Sequence, residues 1–352
     1  MRKDSNVRLV MEPINQRKLD HINIVSEGGD IDRRQYYFDR IHLSHRALPE
    51  LNLSDIDPSF KFMGKELSFP LLISSMTGGA DAELVKINRN LALAAEAEGV
   101  ALAVGSQRVL RSDDAARESF ELRKHAPDAL LLANLGAVQL NYDMGFADCE
   151  AVIDILEADG LCLHLNPLQE AVQPEGDTDF SSLRSKISVI IQTLKKPVVI
   201  KEVGAGISPE DVEHLLAAGV KYIDIAGCGG TSWSRVEGRR SDDPGLGELF
   251  GDWGIPTPVA LQLMKPYRHE VQIIASGGVR SGVDMAKSMI LGASLCGIAR
   301  PFLNPARESV DAVRKVIRRF KKEFAITMFL LGAGKVEDIQ ENEGLILNEY
   351  WH

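Results

Sequence analysis

From residue 70 onward the chain alternates short apolar runs with amphipathic stretches. The runs are Leu71–Ser74, Val100–Val104, Ala129–Ala133, Leu161–Leu165, Val198–Val203, Tyr222–Ala226, Val271–Ala275 and Leu295–Ala299. Several are apolar almost throughout, as expected of parallel strands covered on both faces. Between them, Leu84, Ile87, Leu91 and Ala95 recur at helical spacing and stop at Gly99, and Val310, Val313, Ile317, Phe320 and Phe324 form a second stripe. Ser208-Pro209-Glu210 and Ser281-Gly282 read as helix starts. Strands alternating with helices, without a long polar linker, predict an α/β chain folded as a (β/α)8 TIM barrel, with a doubly wound open sheet as the competing arrangement. The expectation is a single domain over 1–352, with an N-terminal extension at 1–69, the barrel at 70–330 and a tail at 331–352. The connection after the sixth strand, about 227–254, is charged and glycine-rich and reads as an active-site lid.

Composition narrows the function more than the fold. The 352 residues are 45% hydrophobic and 6% aromatic, enough for a large core and unlike a disordered chain or a disulfide scaffold. Fifty acidic against forty Lys and Arg residues give a net charge of -10, which argues against a nucleic-acid surface spread over the molecule. Cys149, Cys162, Cys228 and Cys296 lie far apart, as expected of reduced thiols rather than a zinc site. No apolar run approaches the ~18 residues that span a bilayer, and the first residues lack an apolar signal core. A cytoplasmic protein with no membrane contact is expected.

Polar residues and glycines gather in the segments that follow the strands, while the segments leading into them are bland. Barrel active sites lie at that end, where the eight strand-to-helix loops converge. Ser276-Gly277-Gly278-Val279-Arg280-Ser281-Gly282 opens a helix after the seventh strand, and with Ala299-Arg300 after the eighth it reads as a phosphate site. Lys201 ends the fifth strand, placed to hold a developing anion. His164, Asn166, Gln169 and Glu170 cluster at the end of the fourth, where a carboxylate beside a phosphate suggests Mg²⁺. Gly245–Gly251 misses the dinucleotide spacing and follows no strand, and His42 and His45 lack further metal ligands. The basic run Arg314–Lys322 reads as a solvated helix face.

Read in order, Arg17-Lys18-Leu19-Asp20-His21, Ser74-Ser75-Met76-Thr77-Gly78-Gly79, Gly105-Ser106-Gln107-Arg108, Asn134-Leu135-Gly136, His164 through Glu170, Gly229-Gly230-Thr231-Ser232-Trp233, Asp252 through Thr257 and Ser276 through Arg280 resemble the FMN-dependent, type 2 isopentenyl-diphosphate delta-isomerases. The glycine motifs alone are shared by many FMN barrels; the Arg-Lys pair, the Ser-Gln-Arg loop and the Gln-Glu pair are far more specific. The resemblance implies interconversion of isopentenyl and dimethylallyl diphosphate in isoprenoid biosynthesis. It also implies FMN kept reduced by NADPH, Mg²⁺, and a homo-oligomer of four or more copies. Ser74, Ser75, Met76, Thr77, Ser106, Asn134, Lys201, Thr231, Gly277, Gly278, Ala299 and Arg300 would contact FMN. Arg17, Lys18, Ser106, Gln107, Arg108, His164, Asn166 and Gln169 would line the substrate site, and Glu170 would bind Mg²⁺. Gln169, His164 and Lys201 are the expected catalytic residues. Asp20 stands where the family more often has Glu, a change that keeps the charge, and Glu237 matches a family position without an assigned role.

Two other readings compete. An FMN-dependent 2-hydroxy-acid oxidase would need a histidine beside the arginine after the seventh strand, and Ser276–Ser281 contains none. A non-catalytic phosphate-binding barrel would leave Gln169 and Glu170 unused.

Overall fold

The computed structural model describes residues 4–347, with side chains from Gln16 onward; the last five residues of the expected tail lie outside it. Eight parallel strands close a barrel: β1 (Leu71–Ile73), β2 (Ala101–Ala103), β3 (Leu131–Gly136), β4 (Gly160–Leu165), β5 (Val198–Glu202), β6 (Tyr222–Asp224), β7 (Gln272–Ser276) and β8 (Leu295–Ile298). Pairing of Cys296 with Leu71 and Ile298 with Ile73 joins β8 to β1, so the open-sheet alternative is excluded.

Alternation along the strands sorts side chains into two cores. Leu71, Ile73, Leu131, Ala133, Leu161, Leu163, Ile200, Ile223, Ile273 and Ile298 face outward against the helices. Leu72, Ala103, Leu132, Cys162, Val199, Ile274 and Leu295 face the barrel axis. A hairpin of Phe60–Phe62 and Lys65–Leu67 closes the N-terminal end of this inner core. Phe62, 1% exposed, and Leu67 enter it, and the Phe62 ring meets Tyr222 edge-on at 5.6 Å.

The helix signals have direct structural causes. Helix Ala82–Glu98 starts at Asp81, whose side chain accepts from Glu83 N, and ends at Gly99, left-handed at φ 64. Ser208 and Ser281 cap their helices by accepting from the amides of Asp211 and Asp284. The main difference from expectation is β3, which runs on through Asn134, Leu135 and Gly136; these pair with Cys162, Leu163 and His164 instead of forming a loop. Polar Asn134 belongs in the strand because it faces the barrel mouth rather than a helix.

The connection after β6 is folded rather than loose. It carries helices Trp233–Gly238 and Pro244–Leu249, held together where Arg235 meets Glu248 at 2.8 Å and Asp252 at 2.9 Å. The N-terminal segment, with helix Asp4–Glu27, reaches the same end of the barrel, where Asp32 bridges Thr231. Among the described residues, no helix is long and apolar enough to cross a membrane.

Candidate active site

Two residues beyond each apolar position of the inner core, the strand or its continuation turns polar or becomes glycine. Leu72 is followed by Ser74, Ala103 by Gly105, Leu132 by Asn134, Cys162 by His164, Val199 by Lys201, Ile274 by Ser276 and Leu295 by Gly297. All seven line a cavity of about 600 Å³ at the C-terminal end of the barrel, within the usual size range of small-molecule sites. It gathers every expected site residue except one: Arg17, Lys18, Ser74, Ser75, Met76, Thr77, Ser106, Arg108, Asn134, His164, Asn166, Gln169, Glu170, Lys201, Thr231, Gly277, Gly278, Ala299 and Arg300. The exception is Gln107, fully buried and turned outward. Its amide donates to Val152 O at 3.0 Å and accepts from Asn134 N at 3.0 Å, so it braces β3 instead of lining the cavity.

Two hydrogen-bonded chains cross the barrel wall. In one, His164 Nδ1 lies 2.8 Å from Asn134 Oδ1, and Asn134 Nδ2 donates to Ser75 Oγ at 2.6 Å. Burial, then the neighbouring Lys201 charge, push His164 down to about 4, so it is neutral at pH 7. In the other, Lys201 Nζ donates to Asp224 Oδ2 at 3.0 Å and to Glu202 O at 2.9 Å.

The outer part of the cavity is cationic. Lys18 donates to Ser106 O at 2.9 Å and to Gly78 O, and burial, followed by the Arg17 guanidinium, pushes it down to about 7. Arg108 pairs with Asp177 at 2.6 Å. Asp177 N in turn donates to Glu170 Oε2 at 2.7 Å, while Asn166 Nδ2 donates to Glu170 Oε1 at 2.8 Å. Glu170 is buried, its carboxyl is raised mainly by that burial, and it makes no ion pair with a Lys or Arg among the described residues. Asn166 Oδ1, buried beside it, has no hydrogen-bond partner among the described residues. No group of three His, Cys, Asp or Glu among the described residues could hold a metal alone. A single carboxylate with a spare lone pair on each oxygen instead fits Mg²⁺ shared with substrate phosphates.

Two residues without a role assigned from the sequence, Glu237 and His21, complete this end. Glu237 is fully buried; its Oε1 accepts from Gln169 Nε2 at 2.7 Å and lies 2.9 Å from His21 Nε2, and its Oε2 accepts from Arg240 at 2.7 Å. Burial alone would raise its carboxyl, but the contacts with His21, Gln169 and Arg240 outweigh that and hold it at about 2. The His21 ring also meets Trp233 edge-on at 5.1 Å. These partners converge from the N-terminal helix, from the helix after β4 and from the β6 connection; the sequence signal for Glu237 was its match to a family position, which carried no role.

At the opposite end, Gly277 and Gly278 have φ of 93 and 77. A Cβ on Gly277 would lie 2.0 Å from Gly227 O, and one on Gly278 2.7 Å from Gly229 C. The two glycine runs therefore pack backbone against backbone. Two amides of the first turn of the following helix are already engaged, Gly282 N donating to Glu323 and Asp284 N to Ser281 Oγ. Gly277, Gly278 and Arg300 line the cavity at this end, with Arg300 paired to Asp32. The buried hydroxyls of Ser74 and Thr77 have no hydrogen-bond partner among the described residues, an arrangement that fits a polar cofactor lying against β1.

A closed parallel barrel with glycine turns after β7 and a lysine at its mouth is a (β/α)8 protein built for a phosphate-bearing ligand, and residues 164–345 match the FMN-dependent dehydrogenase family, which places it among the flavin-dependent barrels. The flavin-binding domain of baker's yeast flavocytochrome b2 shares the fold, with a TM-score of 0.67 at 19% identity over 92% of this chain and 80% of that one. A mandelate oxidase does so at TM-score 0.58 and 16% identity, over 87% of this chain and 88% of that one. Much stronger is the similarity to the isopentenyl-diphosphate delta-isomerase of Paracoccus zeaxanthinifaciens, 54% identical over 94% of this chain and 96% of that one. The isopentenyl-diphosphate delta-isomerase of Hydrogenovibrio crunogenus is 49% identical over 95% and 98%. The chain belongs to the isopentenyl-diphosphate delta-isomerase family.

Proposed function

We propose that this chain interconverts isopentenyl and dimethylallyl diphosphate with reduced FMN and Mg²⁺, NADPH serving as the reductant. The observation that carries the reading is a single cavity with flavin-compatible glycines and unpartnered hydroxyls at one end, and Arg17, Lys18 and Arg108 beside Glu170 at the other. The cationic trio would grip the diphosphate, with Arg108 exchanging Asp177 for a phosphate oxygen, and Glu170 would share Mg²⁺ with it. Ser106, Asn166 and Gln169 would bound the five-carbon chain, and Glu237 would fix the Gln169 amide. The reaction adds one proton to the alkene and removes another, so it needs no net oxidant. When bound, reduced FMN would supply an electron-rich face and the proton exchange. His164, neutral, would orient groups at the barrel wall, and Lys201 would place its positive charge where the flavin ring lies.

The hydroxy-acid oxidase reading lacks support here. Arg280 donates to Gly229 O at 2.9 Å and stacks on Tyr36 at 4.6 Å, so it is engaged elsewhere. The same proposal takes the chain as one cytoplasmic unit that assembles with copies of itself; bridges from Leu43 to Ile346 and from Asp57 to Lys335 support the single unit, and exposed Leu249 and Trp253 support self-association. Anaerobic incubation of the FMN-loaded protein with NADPH, isopentenyl diphosphate and Mg²⁺ tests the function. Dimethylallyl diphosphate should form without stoichiometric NADPH loss; no product, or oxidant-coupled turnover of a hydroxy acid, would overturn it.

A further inference from the structure

Asp224 ends β6 and is 1% exposed, yet it does not line the cavity. Its carboxylate ties together three strands. Oδ2 takes the Lys201 ammonium of β5 at 3.0 Å, and Oδ1 accepts from Ser276 Oγ of β7 at 2.5 Å and from Ala226 N at 3.2 Å. The register that pairs Lys201 with Asp224 puts the two side chains next to each other on the axis-facing side. The other nearby carboxylate, Glu202, turns away, its Oε2 taken by the amides of Val203, Gly204, Ala205 and Gly206. Asp224 is therefore the counter-ion of Lys201. With Glu202 O as the second acceptor, two of the three ammonium donors are fixed by the barrel. Ala226, a cavity-lining residue held at φ 35 without being glycine, has its amide anchored by the same carboxylate.

We propose that Asp224 is a positioning residue that acts on the bound flavin through Lys201: it fixes the ammonium at the cavity wall, so that the lysine stabilises the reduced, electron-rich ring. The inference rests on the flavin reading above. Its physical basis is that an ammonium no longer held by its carboxylate leaves its fixed place in the wall, and its stabilisation of a nearby anion falls with distance.

The test is the midpoint potential of FMN in the holoprotein, measured in Asp224→Asn with and without Lys201→Met. Asp224→Asn should lower the potential by at least the equivalent of a tenfold change in the oxidised-to-reduced ratio, about 30 mV for a two-electron couple. In the Lys201→Met background the same substitution should have no effect, and Asp224→Glu should restore most of the parent value. An unchanged potential, an upward shift, or a shift that persists without Lys201 would each overturn the proposal. If Asp224→Asn does not fold, Ser276→Ala removes one donor to the same carboxylate without unpairing a charge. It should give a smaller downward shift, again absent in Lys201→Met, and no shift would overturn the proposal. A parent protein that takes up no FMN would instead defeat the flavin reading, whereas a flavinated, active parent with no Asp224 effect would defeat only this inference.

Discussion

The two ends of the barrel interior use the same strand positions for opposite purposes. At the N-terminal end, Leu72, Leu132, Cys162, Val199, Ile274 and Leu295 meet Phe62 and Leu67 of the hairpin in a sealed apolar plug. One pleat further along, Ser74, Asn134, His164, Lys201, Ser276 and Gly297 face the same axis and open into a cavity. Backbone geometry is the same in both layers, so side-chain chemistry and what closes each end decide the outcome. The lower layer is stabilised by removing apolar surface from water; the upper one leaves the Ser74 and Thr77 hydroxyls without a hydrogen-bond partner among the described residues and buries the Glu170 carboxylate. Stability is concentrated in one layer and unmet binding capacity in the other.

That division can be broken from below. Phe62→Ala should destabilise the protein by about 3–5 kcal/mol, read by denaturant unfolding, while the folded fraction keeps its affinity for FMN. A comparable loss of flavin affinity would show that the layers are not separable. From above, Glu170→Gln should cut Mg²⁺-dependent isomerisation on the order of a hundredfold, about 2.7 kcal/mol, with the melting temperature and flavin content unchanged. Equal activity in mutant and parent would remove Glu170 from the metal role.

Acid distinguishes the layers further. His164 stays neutral in the folded chain down to about 4 against the usual 6.5, so between those values the unfolded chain takes up a proton that the folded one does not. Stability contributed by neutral His164 is thus lost as pH falls from about 6.5 to about 4, on the order of 3 kcal/mol. His164→Asn should flatten that part of the stability profile in the flavin-free protein, and an unaltered slope would assign the acid sensitivity elsewhere. The smallest effect is expected of Ser74→Ala. It should leave the flavin-free protein as stable as the parent, or slightly more so, yet weaken FMN binding by about 0.5–1.5 kcal/mol, read by fluorescence quenching.

The eight strands were legible because parallel strands buried on both faces leave nearly continuous apolar runs. The polar mouth was legible because residues such as Lys201 and His164 interrupt such runs near their ends. What stayed hidden depends on long-range geometry. Gln107 stands between two cavity residues, and only the turn of its side chain toward Val152 O separates it from them. His21 and Glu237 meet across more than two hundred residues of chain, a proximity with no local signature. Asn134 to Gly136 read as loop by composition, because an inward-facing polar residue in a strand resembles a loop residue until the barrel axis is known.

The central claim is that flavin and diphosphate share the upper layer. It is tested most directly by a crystal structure of the protein with FMN and inorganic diphosphate bound. The flavin is predicted to lie among Asn134, Lys201 and Gly277, with the diphosphate on Arg17, Lys18 and Arg108 in the same cavity. Either ligand occupying a different cavity would contradict the account.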